Sequence, residues 1–171
     1  MSVELTVYRE SDGPYEVTID VATRIIGGAT LALNTAAGSH IISTPSYQGL
    51  KINSDRSALS PMNLPDRFRS GTGLRLALTG RDSVGVAQRT LAAIESWDGG
   101  ALAVVSSKQT DAIPSTVAAI WAIASGLGVQ HPSNNYADCV LNPNTQIDSP
   151  FELGKFCVRC LSALRSLASN D

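Results

Sequence analysis

The sequence predicts an α+β fold, a small and largely antiparallel sheet packed with about three helices, in a single domain over residues 1–171. Three observations carry that expectation. Short runs of alternating apolar and polar residues recur along the chain, as half-buried strands require. Two longer apolar segments with good start and stop signals lie in its second half. With 43% hydrophobic and 16% charged residues, 171 residues are enough for a real core and argue against extended disorder.

Taken in order, Val3, Leu5 and Val7 alternate with Glu4, Thr6 and Tyr8, which marks a strand. A turn at residues 11–14 leads into Tyr15, Val17, Ile19 and Val21, and the two runs together predict an N-terminal β-hairpin. Val21, Ala22, Ile25 and Ile26 also fit one helical face, so a helix over residues 19–26 competes; Gly27-Gly28 ends either. The apolar stretch 29–33 then reads as a short core strand or an exposed contact loop. Short strands are expected at 41–43 and 48–52, and Leu74, Leu76 and Leu78 define a longer one.

Asp82 is placed to cap a helix over 83–97 with Val84, Ala87, Leu91 and Ile94 on one face, stopped by Asp98-Gly99-Gly100. Residues 101–105 form a buried strand. Pro114 suits the first turn of a helix running to Ser125 and closed by Gly126. That helix is apolar nearly all round, so it is deeply buried or an interface element. Ser149-Pro150-Phe151-Glu152 is a capping box for a last helix to Ala168, whose stripe includes Leu153, Phe156, Cys157, Cys160, Leu161, Leu164 and Leu167.

The formal net charge of −2 excludes bulk electrostatic binding of nucleic acid, although residues 51–89 hold seven basic side chains against three acidic ones. Three late cysteines do not make a disulfide framework, and no signal peptide is visible, which points to a cytosolic or nuclear protein. Cys157-Val158-Arg159-Cys160, with Cys139 and His131, has the composition of a Cys3His zinc site. Because the paired cysteines fall on the buried stripe of a capped helix, inert core thiols are expected and no metal is assigned. Two histidines, no Gly-x-Ser-x-Gly and no phosphate-binding glycine loop argue that the chain is not an enzyme and takes no cofactor.

Residues 60–69, with Pro61-Met62 and then Pro65-Asp66-Arg67-Phe68-Arg69 before the strand at Leu74, resemble the central part of rhabdovirus matrix proteins. The order of the first strand, Pro14-Tyr15 and Asp20-Val21-Ala22 is similar too, and a short matrix protein of a plant-infecting rhabdovirus fits best. The resemblance implies a viral structural protein of the virion and host cytoplasm, with no small-molecule substrate. It would form a homo-polymer, condense the nucleocapsid and bridge it to the inner face of a membrane. Thr30, Leu31, Ala32 and Leu33 would then be the self-association loop, and Lys51, Arg56, Arg67, Arg69 and Arg75 the contacts to lipid or nucleocapsid. The alternative is a zinc-stabilised regulatory or nucleic-acid-binding domain.

Overall fold

The computed structural model describes residues 2–83, 91–108, 112–132, 138–143 and 153–170. These form strands β1 (Leu5–Glu10), β2 (Ser46–Leu50), β3 (Ala58–Leu59), β4 (Gly73–Thr79), β5 (Asp82–Ser83), β6 (Ala92–Trp97) and β7 (Gly100–Ser106). The helices are α1 (Ile19–Ala37), α2 (Ala112–Gly126) and α3 (Val158–Ser169). A five-stranded sheet in the order β2-β1-β4-β7-β6 carries the fold, which is α+β as expected. The sheet is mixed: β1–β2, β1–β4 and β4–β7 pair parallel, and β6–β7 pair antiparallel.

The expected N-terminal hairpin fails for a local reason. Thr18 is extended and its hydroxyl accepts from the Val21 N–H at 3.3 Å, so the second alternating run starts a helix. Once a helix intervenes, the next strand returns parallel to the first. Gly27 and Gly28 do not end this helix. One turn of packing explains why: a Cβ on Gly28 would sit 3.2 Å from the Thr116 side chain of α2, so glycine permits the close approach of two helices. The helix stops at Gly38, whose φ of +71° is left-handed and whose N–H caps Asn34 and Thr35.

Residues 30–33 are therefore the middle of α1, not a loop or strand. Leu33 is fully buried and Thr30 nearly so, while Leu31 points outward at 69% exposure. The expected helix over 83–97 is also replaced: Asp82 lies in β5, and Ala92–Trp97 is the strand β6, with residues 84–90 outside the described ones. Asp98-Gly99, which looked like a helix stop, is the two-residue turn of the β6–β7 hairpin, with Gly99 at φ +88°.

Helices α1 and α2 pack on each other, α2 lies against β6 and β7, and α3 packs on α1. The main core fills the space between these helices and the sheet. A smaller cluster on the opposite face, Leu59, Leu64, Phe68, Ala77, Leu102 and Val104, is covered by short 3-10 turns at Pro61–Asn63 and Asp66–Arg69.

At the carboxyl ends of the parallel strands, Arg81 is buried against Glu10, with Nη2 to Oε1 at 2.7 Å. The guanidinium also donates to the carbonyls of Arg56 and Ile52 and lies 4.5 Å from the Tyr15 ring centroid. Thr79 donates its hydroxyl to the same carboxylate. With every polar atom occupied, the pair ties β1 to the chain beyond β4 and pins the 52–56 segment.

Two outcomes test this arrangement. Leu33→Ala should cost about 2–5 kcal/mol in denaturant unfolding, whereas Leu31→Ala should stay within roughly 0.5 kcal/mol. Glu10→Ala should cost about 3–5 kcal/mol, because it leaves the Arg81 charge buried without its counter-ion.

Candidate metal centre

Helix α2 ends in a turn that decides where the following residues go. Gly128 takes φ +84°, and the Val129 N–H reaches back to the Ala124 carbonyl at 2.9 Å. Val129 is buried by that turn, and His131 follows it at the foot of α2. A second segment, residues 138–143, brings in buried Cys139, followed by buried Val140 and Leu141. Its Sγ accepts the Cys157 N–H at 3.2 Å, and the Val140 N–H donates to the Lys155 carbonyl at 2.9 Å.

The third contribution is the start of α3, and here the expectation from sequence is corrected. The helix begins at Val158, with Cys157 as its extended N-cap residue; residues 149–152, the proposed capping box, lie outside the described residues. Cys157 and Cys160 thus bracket the first turn instead of lying two turns inside a helix. Their side chains can converge, as ligands on a tight turn do.

His131, Cys139, Cys157 and Cys160 come together, with one ligand atom from each within 4.8 Å of all the others. None of the thiols is in a disulfide. Both ring nitrogens of His131 are shielded from solvent and have no hydrogen-bond partner. Such orphaned atoms carry a desolvation cost unless something binds them. Burial lowers the His131 pKa, with the Pro132 backbone offsetting part of the shift, so the ring is neutral and keeps a lone pair to give.

The thiols differ among themselves. Burial pushes Cys160 well above the ordinary thiol value, and Cys139 also rises, chiefly by burial. For Cys157 burial works upward as well, but hydrogen bonds from the Cys160 backbone and thiol, the Cys139 thiol and the Arg159 backbone outweigh it, and its pKa falls. Its N-cap position adds the field of α3. Three sulfurs and one imidazole are the donor set of a closed, four-coordinate zinc site. The residues present fit that ion.

Beside the cluster, Ile94, Ser96, Trp121, Ser125, Gln130, His131 and Pro143 line a cavity of about 260 Å³ between α2 and the edge strand β6. His131 is common to both features. Apart from that ring, no titratable side chain is among the described lining residues.

The other residues singled out from sequence lie far from this centre in their roles. Arg75 donates to the carbonyls of Arg67, Phe68 and Ser70 and so holds the second 3-10 turn in place. Arg67 stacks on Phe68 with 5.0 Å to the ring centroid, and Arg69 pairs with Asp66. Lys51 and Arg56 are exposed. Among the described residues Arg81, which no sequence argument proposed for the site, is the basic side chain that is buried.

No protein-family model matches the chain, and no curated protein matches it by sequence. Its fold does match solved structures. The crystal structure of archaemetzincin from Methanopyrus kandleri superposes with a TM-score of 0.67 at 16% identity, over 98% of this chain and 96% of that one. A zinc-dependent peptidase from Methanocorpusculum labreanum gives a looser likeness, with a TM-score of 0.47 at 13% identity over 94% and 99% of the two chains. The fold is therefore similar to that of the solved archaemetzincin.

This likeness, together with the cysteine–histidine cluster, overturns the rhabdovirus matrix expectation. The homo-polymer, nucleocapsid and membrane partners implied by it go as well. Among the described residues no helix is long and apolar enough to cross a membrane. The expectation that the chain is not an enzyme is corrected by the same finding, since the fold is shared with a solved archaemetzincin. The Pro61–Arg69 motif misled because a nine-residue string with two prolines and two arginines specifies turns, and turns of that kind recur on unrelated topologies.

Proposed function

We propose that this protein is a zinc protein built on a metallopeptidase fold, with the ion held by His131, Cys139, Cys157 and Cys160. The observation that carries this reading is the convergence of the four ligand atoms within 4.8 Å, on a histidine whose two nitrogens are buried and unpartnered. A bound zinc would supply a cross-link there. It would join the foot of α2, the 138–143 segment and the start of α3, three pieces with little regular structure of their own. Four protein ligands close the coordination sphere, which suits a stabilising role for this ion.

Of the zinc-stabilised alternative, the metal half gains support. The nucleic-acid half does not, because Arg67, Arg69 and Arg75 are engaged with their own loop. The archaemetzincin likeness makes peptides the first class of ligand to offer the cavity beside the cluster.

Metal analysis of the purified protein should find zinc, and a strong chelator should lower its Tm by several degrees or more. Cys157→Ser with Cys160→Ser should abolish binding; full zinc content in that variant would sink the reading. The pH dependence follows from the thiols. In the metal-free fold Cys139 and Cys160 have raised pKa values. Their contribution is complete below the ordinary thiol value of 9.0 and is lost as pH rises through the folded values. Zinc reverses the sense, because it must displace those protons. Loading at neutral pH should release protons, and apparent affinity should fall as pH is lowered, both readable by titration calorimetry in buffers of different ionisation enthalpy.

A further inference from the structure

We infer that the chain takes one zinc ion, in the cysteine–histidine cluster, and that the cavity between α2 and β6, where a metzincin would hold its catalytic ion, binds none. This rests on the reading of the cluster given above.

Zinc peptidases of the metzincin type carry H-E-x-x-H-x-x-G-x-x-H, with the first two histidines on one helical face and the third reached over a glycine turn. Helix α2 reproduces that geometry. Gly128 stands at the glycine position in a left-handed conformation, and His131 follows three residues later in the place of the third histidine. Counting back puts Trp121 and Ser125 at the first two histidine positions and Ala122 at the glutamate. The structure supports this register independently of the count. Trp121, Ser125 and His131 all line the same 260 Å³ cavity.

The donors, however, are gone. An indole N–H has no lone pair to offer, a neutral serine hydroxyl is a poor zinc ligand, and buried Ala122 offers no base. The chain contains two histidines in all, and the other is His40. His131 is left as a single imidazole, and it already stands among three thiols. Among the described residues lining the cavity, a lone nitrogen beside Ile94, Ser96, Gln130 and Pro143 does not amount to the three protein ligands that an open zinc site uses. The positions survive as scaffold, and the remaining histidine serves the structural cluster.

Titration of the metal-free full chain with cobalt(II) should saturate at one equivalent with the intense charge-transfer absorption of thiolate ligation. Elemental analysis of the zinc-loaded protein should agree at one ion per chain. A second equivalent, or a bound cobalt ion without thiolate charge-transfer bands, would overturn the inference by showing a site on α2. No bound metal in the native chain would instead overturn the reading of the cluster and with it the count of one. Because the cobalt titration uses the unaltered protein, the result does not depend on whether a cysteine variant folds.

Discussion

Helix α2 is the element on which the rest of this structure depends. Val117, Ala118, Ala119, Ile120, Ala122, Ile123 and Ala124 are all essentially inaccessible to solvent. A helix buried on that many sides needs partners on each of them. Helix α1 provides one, with Gly28 letting the two backbones approach, and strands β6 and β7 provide the other. Gly126 completes the fit at its end, where a Cβ would run into Leu74 and come against Ala101. The main core forms around this one apolar rod, between the helices and the sheet.

The metal centre is a consequence of that enclosure. Because α2 cannot shift, the turn at Gly128 delivers His131 to a defined point, beside the cavity lined by Trp121 and Ser125. Helix α3, packed on α1, delivers Cys157 and Cys160 to the same point from the other direction. Cys139 arrives on a short segment tied to them by the Cys157 and Val140 N–H groups. Each contribution is local, and their meeting is purely tertiary.

Charge is used inwardly at the other end of the sheet. Arg81 and Glu10 are buried together and fully hydrogen-bonded, which is the condition under which such a pair is tolerated. Arg75 spends its donors on loop carbonyls, and Arg67 stacks on Phe68. A locally basic stretch of sequence thus becomes a set of braces for the turns that cover the second face of the sheet. A reading that took these arginines for a contact surface had no means of seeing the carbonyls they meet.

What the sequence determined by itself was local. The strands at Leu5–Glu10, Gly73–Thr79 and Gly100–Ser106, the all-apolar α2 with its glycine stop and the α+β class were legible, because periodicity and capping act over a few residues. The ligand set was legible as a composition, His131 with three cysteines, but its spacing suggested an inert helical stripe. Tertiary structure decided the remainder. Pairing partners lie up to about seventy positions apart, as Leu5 and Leu74 do, so parallel or antiparallel order could not be read from either strand alone. Residues 30–33 and 92–97 exchanged helix and strand because burial against α2 and β7 outweighed local pattern. The start of α3 at Val158 turned two core thiols into a converging pair. Zinc ligands must agree within a few ångströms, and that agreement is a property of packed elements, not of any one stretch of chain.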